Sequence, residues 1–136
     1  MQRIVWPAIV LSIAAVFLPT LSANADTSDF SFDSFDADYT LSRDDAGVAH
    51  LEVVETLVAR FPEFDQNRGI IRAIPDSYQG VALNTTVASV TDEKGQLVPY
   101  EAERQGEFLE LALGTDEFVH GRVSYVITYS QENVVR

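Results

Sequence analysis

The sequence contains no cysteine, which excludes disulfides, thiolate metal centres and cysteine nucleophiles together. It has only two histidines, the residue type most often used for acid–base chemistry. Basic residues are scarce: nine Lys and Arg stand against 21 Asp and Glu, for a net charge of −12. Such a chain repels nucleic acid and anionic lipid head groups. Divalent cations, basic partners or simple solubility suit it better. Neither a Gly-x-Ser-x-Gly elbow nor a phosphate-cradling glycine loop occurs. Carboxylates abound, but no two are singled out as a hydrolytic pair.

Long hydrophobic runs are also missing, with one exception at the start. Met1-Gln2-Arg3 carries one positive side chain, and Ile4 to Leu18 is uncharged and nearly all apolar. Pro19 follows, then Leu21-Ser22-Ala23-Asn24-Ala25. A basic start, an apolar stretch and an Ala-x-Ala site are the order of a secretory signal peptide. The stretch is shorter than the roughly 20 residues that span a bilayer. The expectation is a signal-peptide helix over residues 1–25, cleaved after Ala25, with Ala23 and Ala25 at the cleavage site. An uncleaved anchor is the alternative. Export to the periplasmic or extracellular face follows from it.

With no disulfides, the exported part must be held by an apolar core. All 21 acids lie beyond residue 25, so that part is strongly acidic, and it is long enough for one domain. Residues 26–34 are polar with two isolated phenylalanines, and read as a linker. From Phe35 the pattern alternates: Phe35, Ala37, Tyr39 and Leu41 against Asp36, Asp38 and Thr40, a half-buried strand with its acids outward. Arg43 to Gly47 is a turn. In Val48–Phe61, Leu51, Val53 and Leu57 share one face, which Glu55 interrupts. Recurring β-branched residues and the lack of an N-cap favour a strand there over a helix.

Arg68 to Pro75 is a short alternating run, and Val81 to Thr91 is β-rich. Gln96–Arg104 and Glu107–Leu113 flank a tight turn signal at Gln105-Gly106. Residues 114–121 read as a loop. Val123, Tyr125, Ile127 and Tyr129 alternate most clearly of all. About seven strands with turns every 8–12 residues or so predict an all-β, immunoglobulin-like antiparallel β-sandwich over residues 35–136. The close of the sequence at Arg136, soon after this strand, is expected to mark part of a longer protein.

Few residues stand out as chemistry. His50 reads as a surface strand residue, and His120 as part of a polar turn beside Asp116 and Glu117. Asp33, Asp36 and Asp38, within the acidic stretch from Asp26 to Asp45, are the candidates for a calcium site, although the EF-hand order is absent. Arg68 and Arg72 fall on one strand face by period two. They predict ion pairs with acids of the same domain, or a site for a carboxylate. No cofactor is expected.

Asp38-Tyr39, Val53 to Leu57, Phe61, and then Arg68-Gly69-Ile70 with Arg72 and Ile74-Pro75 resemble the opening module of the YciQ-like predicted membrane proteins, a domain-of-unknown-function family. Gly121 to Tyr129 looks like that module's closing strand. The resemblance covers roughly residues 35–130, and Arg68, Gly69, Arg72 and Pro75 are its most specific part. It implies an extracytoplasmic β-sandwich-like module followed by transmembrane segments that this chain does not include. It supplies no catalytic residues. The reading is a non-enzymatic envelope module that contacts other envelope proteins or further domains of its own polypeptide. A calcium- or glycan-binding module using the acidic segment is the alternative.

Overall fold

A computed structural model describes residues 29–135. The expected signal peptide, with Ala23 and Ala25, lies outside the described residues. The described chain is all β, without a helix. Its strands are β1 (Ser31–Arg43), β2 (Ala49–Phe61), β3 (Asn67–Pro75), β4 (Ser77–Tyr78), β5 (Val81–Ala82), β6 (Thr86–Thr91), β7 (Tyr100–Gln105), β8 (Phe108–Val119) and β9 (Gly121–Glu132). Seven of these are full strands, and β4–β5 is a small hairpin. One antiparallel sheet has the order β1-β2-β9-β6 and a second has the order β3-β8-β7.

Both sheets bury side chains in one core. Val53 and Leu57 of β2, with Tyr125 and Ile127 of β9, meet Ile70 and Ile74 of β3 and Leu109, Leu111 and Leu113 of β8. β1 and β7 contribute no fully buried member to it. They are edge strands of their sheets.

Four boundaries differ from the sequence reading, each for a local reason. β1 begins at Ser31, inside the expected 26–34 linker. A bulge between Phe32 and Ser34 shifts its register on β2. Phe32 lies opposite Ala59, while Phe35 lies opposite Leu57. One extra residue reverses the alternation, so even positions before it and odd positions after it face the same way. Phe30 stacks on Phe61 at 5.3 Å and packs edge-on to Phe32 at 5.4 Å.

The Val81–Thr91 run is broken at Asn84, which has a positive φ of 49°, so β5 ends and β6 starts afresh. The strand expected from Gln96 begins only at Tyr100, because Pro99 cannot donate to a ladder. The loop expected over 114–121 is mostly strand. β8 runs to Val119, but its pairing with β3 jumps from Gly114 to Val119, leaving Thr115 to Phe118 out of that ladder.

Gly69 and Gly114 face each other at this jump, with φ of 141° and 128°. A Cβ on Gly69 would lie 1.7 Å from the Leu113 carbonyl oxygen, and one on Gly114 would lie 2.1 Å from that of Arg68. Only two glycines allow the backbones this close.

Candidate functional site

On β2, residues 51, 53, 55 and 57 face the core by simple alternation. Glu55 is the third of these, and is only 1% exposed. An ionised carboxylate there requires partners. Arg72 supplies two bonds, Nε to Oε2 at 2.8 Å and Nη2 to Oε1 at 2.7 Å. The Tyr129 hydroxyl donates a third to Oε1 at 2.9 Å. Arg72 also donates to the Ala73 carbonyl. The pair joins β2 of one sheet to β3 of the other, and Tyr129 adds β9.

The hydrogen bonds to Glu55 raise the Arg72 pKa further, although burial opposes this. Burial, followed by the bond to Glu55, pushes the Tyr129 phenol well above its usual range. Both Glu55 oxygens are engaged and turned from solvent, so this carboxylate is not poised as a general base. Its chemistry is attachment of one sheet to the other.

The residues over this pair are of another kind. Arg72 lies 5.6 Å from the centre of the Phe35 ring, within cation–π range. Phe35, Ala37, Tyr39 and Leu41 of β1 lie opposite Leu57, Glu55, Val53 and Leu51 of β2. Directly opposed residues point to the same face, so this row faces the side of the sheet that carries the core. It is nevertheless open: Phe35 is 51% exposed, Tyr39 63% and Leu41 59%. The four-stranded sheet extends one strand past the three-stranded one here, and leaves the β1 row uncovered.

The other face of β1 is acidic. Asp36 and Asp38 lie opposite Thr56 and Val54, and Glu52, opposite Thr40, is exposed on that same side.

The sequence-derived candidates are dispersed. Asp33, at the bulge, is held by Arg60 through Nε at 3.1 Å and Nη2 at 2.6 Å. That hydrogen bond lowers the Asp33 pKa. Asp36 and Asp38 stand two residues apart on an exposed strand face, so the three carboxylates do not converge. Among the described residues no three His, Asp or Glu side chains are grouped as metal ligands.

Arg68 and Arg72 take different partners. Arg72 meets Glu55, whereas the Arg68 guanidinium lies 4.6 Å from the centre of the Phe118 ring. Gly69 makes the close approach to β8. The Pro75 carbonyl accepts the Gln131 side-chain amide at 2.7 Å and the Thr85 hydroxyl at 3.2 Å. His50 and His120 contact Asp44 and Asp65 at 2.9 and 2.8 Å on the surface.

An open hollow of about 960 Å³ lies along Arg68, Gly69, Pro99, Tyr100, Gly114 and Asp116. Its lining includes no histidine, serine or lysine. Glu55 was the residue that sequence reasoning undervalued. Its signal was present: one acid at an inward position of an otherwise apolar row.

No protein-family model, curated protein or solved structure matches this chain.

Proposed function

We propose that this chain is an exported, non-enzymatic, immunoglobulin-like β-sandwich that acts by binding another protein at the open side formed by β1. The signal-like start supports a position outside the cytoplasmic membrane, as does the resemblance to the YciQ-like module. The observation that carries the binding role is the row Phe35, Tyr39 and Leu41, which faces the core side of its sheet yet stays open to solvent. An apolar row of this kind is costly to leave in water, at about 25 cal/mol per Å². Exposed apolar patches of this sort mark interaction surfaces. Glu55, Arg72 and Tyr129 stiffen the sheet junction beneath it.

A photo-crosslinking side chain at Tyr39, compared with one at Glu103 on β7, tests this in the producing cell. Protein adducts are expected at position 39 and not at 103, and replacing Phe35 and Leu41 by Ser should abolish them. Equal adducts at both positions would sink the reading. So would turnover of a substrate by the purified protein that one polar substitution abolishes.

A further inference from the structure

We infer that β1 is an acceptor edge: an extended segment of another protein, alternating apolar and basic side chains, adds to it as a new outer strand. The inference rests on the binding role proposed above and names the partner's chemistry.

Three observations lead to it. The first is backbone. β1 pairs with β2 along one side over 13 residues, and among the described residues no strand pairs with its other side. A strand of that length is about twice the usual one. Its outer N–H and C=O groups form a template for a further strand.

The second is the contrast with β7, one of the two outer strands of the other sheet. The inward row of β7, opposite Leu113, Leu111 and Leu109 of β8, includes Arg104, and an inward-pointing charge on an edge discourages pairing. The inward row of β1 has no charge at all from Phe35 to Leu41.

The third is charge on the opposite face. An incoming strand alternates its own side chains. Those beside Phe35, Tyr39 and Leu41 must be apolar to cover them. Those on the other face meet Asp36 and Asp38, with Glu52 on the next strand. Opposite charges across strands are favourable and like charges opposed are not. A second copy of this chain fits badly, because joining β1 to β1 sets these acids against each other in a protein of net charge −12. A basic–apolar segment satisfies both faces.

The test uses the full chain at physiological salt, with labelled peptides of about ten residues. One alternates valine with lysine and another valine with glutamate. Binding is read by fluorescence anisotropy, and its place by amide hydrogen exchange. The valine–lysine peptide should bind and protect residues 31–43. Asp36→Lys with Asp38→Lys, both solvent-facing changes, should weaken it at least about tenfold, equivalent to about 1.4 kcal/mol, and admit the glutamate peptide. A thermal melt confirms that this variant folds.

The inference is overturned if the lysine peptide does not bind, if it protects another region, or if charge reversal leaves its affinity unchanged. Concentration-dependent dimers with β1 protected would overturn it in favour of a second copy. Adducts at position 39 without peptide addition would remove strand addition and leave the binding role standing. Loss of both would remove both.

Discussion

Glu55 and Arg72 are 17 residues apart in the chain and belong to different sheets, yet they form a two-bond ion pair at 2.7 and 2.8 Å. Attraction and desolvation nearly cancel for a buried pair, so its net contribution to stability is small. Removing one partner is another matter, because the other is left uncompensated.

Arg72→Leu should therefore destabilise the fold by about 3 kcal/mol, the low end for a broken buried pair, since Arg72 itself is 26% exposed. Glu55→Leu combined with Arg72→Leu and Tyr129→Phe should cost much less than the sum of the single changes. Urea unfolding of the set measures this. Additive losses would mean that the three groups do not act as a unit.

Two buried tyrosines should respond in opposite ways. Tyr129 donates to Glu55, whereas the Tyr125 hydroxyl is buried with no hydrogen-bond partner among the described residues. Tyr129→Phe should cost about 1–3 kcal/mol, and Tyr125→Phe should be neutral or stabilising. Burial pushes the Tyr125 phenol up to about 12. The folded state thus keeps a proton that the unfolded state releases near pH 10 or so. This contribution is whole below that pH and is lost as pH rises through the folded value. Alkaline melts should be flatter for Tyr125→Phe.

Acid should act through Asp76. Burial works against its charge, but the Thr85 amide at 2.8 Å and the Arg104 guanidinium at 2.7 Å outweigh it and lower its pKa. The folded state gives up this proton at a lower pH than the unfolded state. Its stabilisation is therefore present above about pH 4 and lost as pH falls through the folded value. Asp76→Asn should be less stable at neutral pH and should decline less steeply in acid, as followed by melting temperature.

Gly69→Ala should be severe, because its Cβ would meet the Leu113 carbonyl oxygen at 1.7 Å. Gly95→Ala shares a positive φ, 77°, but has open space around it. Its cost should stay near the left-handed penalty of about 1–2 kcal/mol. Melting of the two variants separates close approach from φ alone, and equal losses would contradict the distinction.

Much of the fold was legible in the residues. The alternations in Ala49–Phe61 and Gly121–Glu132 marked the paired central strands, because side chains of a strand with one buried face must repeat every second residue. The start of β1 was not legible. The bulge at Asp33 inverts the period there, so Phe30 and Phe32 looked isolated. Asn84 and Pro99 cut two runs that composition alone read as continuous.

The sequence by itself determined that this is an acidic, cysteine-free chain whose described part is all β, with an alternation that sorts each strand into two faces. Local sterics and hydrophobic period suffice for that. Only the tertiary structure decided which faces are covered. Phe35, Tyr39 and Leu41 have the same pattern as buried Val53 and Leu57, and they remain open because the second sheet ends one strand short of β1. Only the meeting of the two sheets gave Glu55 its arginine. Burial depends on what lies across from a residue, and that is set by contacts between distant parts of the chain.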